Sequence, residues 1–230
     1  MPIYWTKPLF LYFFFVSDSV ANVKTKTNIK TNIKTIIFDI GGVVIEYNNS
    51  LYYSEIAKET GTKERIVKEK IGKRLLPLFD KGEISIDEFT KSIANMFGIS
   101  KGRVRWYENF VENAKINKST IKVVRKLSKR CTLAYFSNID YSRYGHLLKL
   151  MQPYKKLFKY RFASCTIGMR KPEARAYRYV LSKMHVHANE TIFIDNEQRN
   201  VLGAEAVGIK SILFKNNTEL VNALRKMGVL

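Results

Sequence analysis

Acidic residues are what this sequence most lacks. Twenty Asp and Glu stand against 40 Lys and Arg in 230 residues, leaving a formal charge of +20 and a pI near 9.9. A field of that sign attracts anions of every kind. The lysines are scattered along helical stretches rather than massed in one block, so the surplus reads as composition and no nucleic-acid partner is expected. Cysteine is nearly absent. Cys131 and Cys165 stand in no CxxC or Cys/His spacing, so no zinc centre is expected, and two thiols at strand ends fit a reducing, cytoplasmic setting. His146, His185 and His187 likewise lack the mutual spacing or acidic neighbour of a metal site. Long apolar runs are missing too. Leu9–Val16 is the strongest, and its eight residues fall short of the ~20 that span a bilayer, so no stable membrane association is expected. Lys7 before it and Ser19-Val20-Ala21 after it loosely imitate a secretory signal; a start of the working protein further downstream is the rival explanation.

What is present begins after a basic repeat, Thr27-Asn28-Ile29-Lys30 followed by Thr31-Asn32-Ile33-Lys34, which reads as a linker closing an N-terminal segment over 1–34. Ile36-Ile37-Phe38 then runs into Asp39 and into Gly41-Gly42. A short continuous apolar run stopped by paired glycines is the mark of a buried parallel strand ending in a tight loop. Helical spacing without comparable strand signal follows over 48–114. It includes a capping box at Ser85 and Glu88 and a last helix over about 102–114. From 115 onward helix and strand alternate. Strands are expected at Cys131–Phe136, Arg161–Ser164, Thr191–Ile194 and Ser211–Phe214, with helices between them and a helix from about Tyr144 to Met151. The fold class is therefore α/β, a doubly wound parallel (Rossmann-like) sheet formed by 35–47 and 115–230, with a helical sub-domain inserted at 48–114.

In such sheets ligands sit outside the carboxyl ends of the strands. Three strands end there in polar groups, Asp39, Ser137-Asn138 and Asp195, and Lys171 stands in a loop just before a helix. Carboxylates of this kind hold Mg²⁺, a carboxylate serves as a nucleophile, and hydroxyl, amide and ammonium groups offset charge on phosphate oxygens. Taken singly each group has a bland reading as a turn residue or solvated lysine. Together they point to phosphate-ester chemistry.

Four ordered segments carry a resemblance. Phe38-Asp39-Ile40-Gly41-Gly42, Phe136-Ser137-Asn138, Gly168-Met169-Arg170-Lys171-Pro172-Glu173-Ala174-Arg175 and Phe193-Ile194-Asp195-Asn196 resemble the four motifs of the haloacid dehalogenase-like (HAD) hydrolase superfamily. The third is similar to its sugar-phosphate phosphatase branch, which includes glucose-1-phosphatase-like proteins with a helical cap. The resemblance covers about residues 35–214. It implies Asp39 as nucleophile and metal ligand, Gly41 through its carbonyl and Asp195 through its carboxylate as further Mg²⁺ ligands, Ser137 and Asn138 as holders of the phosphoryl group, and Lys171 bridging that group and Asp39. The implied activity is Mg²⁺-dependent hydrolysis of a small phosphorylated metabolite. The alternatives are metal-free 2-haloacid dehalogenation, in which the same aspartate attacks carbon, and a binding protein with a degenerate site. Two positions depart from the family pattern. Gly41 stands where an aspartate usually serves as general acid/base, although the branch resembled also uses glycine there, and Asn196 stands where a second aspartate often follows Asp195. Glu46, just past the loop, reads as a solvating side chain.

Overall fold

The computed structural model of the chain describes residues 32–230. The apolar run at 9–16 and most of the basic stretch at 24–34 lie outside the described residues. Strand β1 (Thr35–Phe38) is buried along its whole length, which its unbroken apolar sequence requires, and it forms the centre of a five-stranded sheet. β4 (Thr132–Ser137) pairs with one edge of β1 and β6 (Thr191–Asp195) with the other; β5 (Tyr160–Ala163) lies outside β4, and β7 (Lys210–Leu213) outside β6. All four pairings are parallel, so the α/β, doubly wound reading holds. The chain moves outward from β1 through β4 to β5, then returns across the sheet to β6. The crevice between β1 and β6, whose chains leave in opposite directions, is thus the topological switch point where ligands bind in open sheets.

Both faces of the sheet are covered because its strands alternate. Ile36 and Phe38 face one cluster with Val124, Leu127, Leu147 and Leu224, while Ile37, Ala134, Phe136 and Phe193 face another with Tyr177, Val180 and Ala204. The first cluster is supplied by helices α6 (Lys118–Leu127), α7 (Tyr141–Met151) and α11 (Asn217–Lys226), the second by α9 (Ala174–Met184) and α10 (Gln198–Glu205).

A second body of helices interrupts the sheet after β1. β2 (Ile45–Glu46) and β3 (Lys115–Ile116) pair antiparallel and mark its two ends. Between them run α1 (Asn49–Thr60), α2 (Glu64–Arg74), α3 (Leu76–Asp80), α4 (Ile86–Phe97) and α5 (Trp106–Asn113). They close around their own core, in which Phe79 stacks on Phe89 at 4.0 Å and Trp106 meets Tyr52 at 4.7 Å. The Ser85 capping box forms, with Glu88 N–H donating to Ser85 Oγ at 3.2 Å and Ser85 N–H to Glu88 Oε2 at 2.7 Å.

Strand ends shift by a residue from those expected, and three helix boundaries differ for a physical reason. The helix expected over 102–114 is broken, because Val104 leaves helical geometry (φ −91°, ψ 82°) to bury its side chain in the helical body, and α5 begins only at Trp106. α7 starts three residues earlier than its apolar spacing suggests, since the Asp140 carboxylate accepts from Arg143 N–H as an N-cap. Ser164, expected as the last residue of a strand, instead opens the short helix α8 (Ser164–Ile167). Both cysteines are free thiols.

Candidate active site

The site is assembled by strand ends. The β1 ladder continues one residue further, Asp39 N–H donating to Ile194 C=O at 2.7 Å, so the Asp39 carboxylate is held at the mouth of the switch-point crevice. Beyond it the loop wraps around one carbonyl: Val44 and Ile45 N–H both reach Ile40 C=O, at 2.9 and 2.8 Å. Gly42 makes that coil possible, with φ +78° and with the Asn196 amide 2.3 Å from where a β-carbon would stand.

Lys171 is the centre of the charge arrangement. Its Nζ lies 2.8 Å from Asp39 Oδ1 and 2.7 Å from Asp195 Oδ2, with the side chain 1% exposed. The faces of Phe136 and Phe193 flank the ammonium, their ring centroids 5.4 and 5.3 Å away. Burial pulls this lysine's pKa down, but Asp195 and Asp39 more than offset it and hold its pKa above the ordinary value. Asp39 shows the opposite balance. Burial pushes its carboxyl up to about 7, Lys171 pulls against that, and the nearby Asp195 adds to the rise. Desolvation therefore outweighs the lysine for this group.

Of the residues singled out from the sequence, Asp39, Gly41, Ser137, Asn138 and Lys171 line one cavity of about 330 Å³ beneath the helical body, and Asp195 meets it from below through Lys171. Ser137 is buried at the end of β4. Asn138 works through the backbone: its Oδ1 accepts from Lys171 N–H and its Nδ2 donates to Lys171 C=O, both at 2.9 Å, which fixes the loop that carries the lysine. Glu46 is exposed on β2 opposite Lys115, away from the cavity.

Asn200 escaped the sequence reading. From the first turn of α10 its Nδ2 reaches both oxygens of Asp195, at 3.2 and 3.1 Å, while Glu197 N–H donates to Asp195 Oδ1 at 2.7 Å. An asparagine five residues past a carboxylate carries no signal until a helix turns it back. A second group also went unseen as a unit. Asp80 of α3 pairs with Arg170 Nη2 at 3.0 Å and Arg143 Nη2 at 3.4 Å; Arg143 Nε also pairs with Asp140, which accepts from Trp106 Nε1 at 3.3 Å. All four charged side chains are buried, so this network ties α3 and α5 of the helical body to the loop that carries Lys171. Burial raises Asp80 against the pull of Arg143 and Arg170. At Asp140 burial is outweighed by Arg143, Ser142 and the cap hydrogen bond, and its pKa falls.

A metal at this site would be held by oxygen. Among the described residues no three His, Cys, Asp or Glu side chains gather as a metal cage. Mg²⁺ asks for less, one or two carboxylates with carbonyl, water and phosphate oxygens completing the shell. Asp39 Oδ2 and the Gly41 carbonyl both face one donor, the side-chain nitrogen of Asn196, at 3.3 and 3.0 Å when the amide is turned to satisfy its neighbours. Two hard oxygens converging on one electropositive group, with a buried carboxylate behind them, fit a small divalent cation.

A family model described as haloacid dehalogenase-like hydrolase matches residues 33–208. The sesquiterpene phosphatase astK of Aspergillus oryzae is 27% identical over 199 residues, covering 86% of this chain and 97% of that protein. Flavin mononucleotide hydrolase 1 of Arabidopsis thaliana is 27% identical over 154 residues, 66% of this chain and 61% of its own. Among solved structures, a HAD family enzyme of Bacteroides thetaiotaomicron in complex with magnesium and inorganic phosphate superposes with a TM-score of 0.65 at 22% identity, covering 80% of this chain and 94% of that one. A predicted HAD-like family hydrolase of Porphyromonas gingivalis gives 0.69 at 22% identity over 86% and 98%. At such identity the likeness to both structures is one of fold.

Proposed function

The chain belongs to the haloacid dehalogenase-like hydrolase family, and from that premise we propose that it is a Mg²⁺-dependent phosphomonoester hydrolase working through an aspartyl-phosphate on Asp39. The observation that carries this reading is the position of Lys171 Nζ, within 2.8 Å of the Asp39 carboxylate and 2.7 Å of Asp195, at the floor of the cavity. An anionic nucleophile must approach an anionic phosphate, and a buried ammonium beside the attacking carboxylate lowers that repulsion where the effective dielectric is low. A carboxylate oxygen of Asp39 forms a bond to phosphorus as the ester oxygen leaves, and water then cleaves the acyl phosphate. Ser137, at the end of β4 on the cavity wall, would donate to phosphate oxygens; Asn138 keeps the Lys171 backbone in place. Asp39, the Gly41 carbonyl and Asp195 would hold Mg²⁺, which would neutralise phosphate charge at that point.

The substrate belongs to the cavity and to the helical body over 48–114, which we take as the cap. Asn48, Ser50, Lys68, Arg170 and Arg199 line the cavity with few apolar groups other than Leu76 and Trp106. That lining supports a small hydrophilic metabolite such as a sugar phosphate rather than a long hydrocarbon chain. Purified protein should release phosphate from an aryl phosphate with Mg²⁺, lose the activity on Asp39→Asn, and show its preference in a phosphometabolite panel. An Asp39→Asn protein as fast as the parent would sink the assignment, and a hydrolase of 2-haloacids indifferent to chelator would replace it with the dehalogenase reading.

A further inference from the structure

Loss of an alkoxide from phosphorus needs a proton, and general acid help of that kind is worth about 10²–10⁴ in rate. The loop after Asp39 offers no side chain for it, because residue 41 is glycine. The space beside Gly41 is nevertheless filled. A β-carbon placed there would lie 2.6 Å from Tyr47 Cε1 and 3.0 Å from the Tyr47 hydroxyl oxygen. The phenol of Tyr47 thus stands where a side chain at 41 would begin, on the rim of the cavity that holds Asp39. Its ring is braced edge-on by Phe110, with centroids 5.3 Å apart.

We propose that Tyr47 is the proton donor to the leaving-group oxygen, supplying from β2's exit what the glycine at 41 does not. This rests on the phosphatase reading above and deepens it. Of the carboxylic acids on the cavity wall, Asp80 is buried and paired with Arg143 and Arg170, while Glu197 is half-exposed beside Arg199. Arg143 lines the same small recess as Tyr47 and Gly41, its guanidinium buried over the Trp106 ring at 4.5 Å, so a phenolate formed at Tyr47 has a fixed cation to face. As the bond from Asp39 to phosphorus forms, the ester P–O bond breaks and the phenolic proton passes to the departing oxygen. In the second half the phenolate takes a proton from water as the hydroxide oxygen adds to phosphorus and the Asp39–phosphorus bond breaks, which restores both groups.

The test is Tyr47→Phe, which keeps the ring against Phe110, assayed with Mg²⁺ on a series of monoesters from p-nitrophenyl phosphate to an alkyl phosphate. The quantity compared is kcat/KM, which reports the step in which the leaving group departs. p-Nitrophenolate is a stable anion that leaves unaided. The expected result is a loss of about a hundredfold or more for the alkyl ester and less than about threefold for the nitrophenyl ester. Equal losses at both ends of the series would make Tyr47 a packing residue and overturn the proposal, as would no loss at either end. Asp39→Asn in the same assays separates the two failures: a dead Asp39→Asn with a flat Tyr47→Phe series refutes only the proton donor, whereas an active Asp39→Asn refutes the phosphatase site itself.

Discussion

Replacing Lys171 by methionine removes an ammonium from between two carboxylates and leaves a side chain of similar length. In the parent the ammonium lies 2.8 and 2.7 Å from Asp39 and Asp195, which are 7% and 0% exposed. Deleting one partner of a buried ionic group typically costs about 3–5 kcal/mol, because the remaining charge is buried without compensation. For a chain of this size each kcal/mol moves the melting temperature by about 2–4 °C, so a drop of about 6–20 °C is expected at alkaline pH. The variant has one escape. Asp39 already has its carboxyl pushed up from 3.8 to about 7 by burial against the pull of Lys171, and without the lysine it rises further and takes up a proton. A carboxyl whose folded-state pKa exceeds its unfolded value favours folding where it is protonated and loses that advantage as pH rises from the unfolded value toward the folded one. The parent's Asp39 loses the same advantage up to its own value of about 7, so the penalty of Lys171→Met must grow only above about pH 7, by up to about 1.4 kcal/mol per pH unit. Mg²⁺, by binding the carboxylates the lysine has left, should return part of the loss at pH 8. Melting curves of parent and variant at pH 5.5 and 8, with Mg²⁺ and with chelator, read out all of this. A variant that melts within about 2 °C of the parent at pH 8, or one whose deficit shrinks as pH rises, would refute the electrostatic account.

Asn200→Ala removes the amide that orients both Asp195 oxygens and should weaken Mg²⁺ affinity about 10–100-fold in titration calorimetry while the fold survives. Gly42→Ala places a β-carbon at φ +78° and 2.3 Å from the Asn196 amide; a stability loss of more than about 1 kcal/mol in urea unfolding is expected, and no loss would contradict that geometry. Asp140→Asn leaves buried Arg143 short of its nearest anion and should cost about 3–5 kcal/mol in urea unfolding at pH 7. The Asp140 pKa lies below its ordinary value, so its contribution is full above the unfolded pKa and fades as pH falls through the folded one. The gap between parent and Asp140→Asn should accordingly narrow toward pH 3.

The sequence by itself determined the strands and what stands at their ends. Apolar runs that stop at Asp39, at Ser137 and at Asp195 are local signals, and burial on both faces of a parallel sheet is what their composition demands. Alternation of helix and strand then required a doubly wound sheet. Their common edge followed, and with it the reason to read Asp39, Ser137, Asn138, Lys171 and Asp195 as one set. Only the tertiary structure decided how those residues meet. Strand order put β1 between β4 and β6, so residues nearly 100 and more than 150 positions beyond Asp39 came to flank it. Packing closed two aromatic faces on Lys171 and excluded water, which turned a lysine in a loop into the partner of two carboxylates. Asn200 was illegible because its meaning depends on one helical turn bending back toward Asp195. The buried group of Asp80, Asp140, Arg143 and Arg170 joins segments that no pattern links. Gly41 shows the division most clearly. Along the chain it is an absence, a position with no side chain to give a proton; in space that absence is the room that the Tyr47 ring occupies.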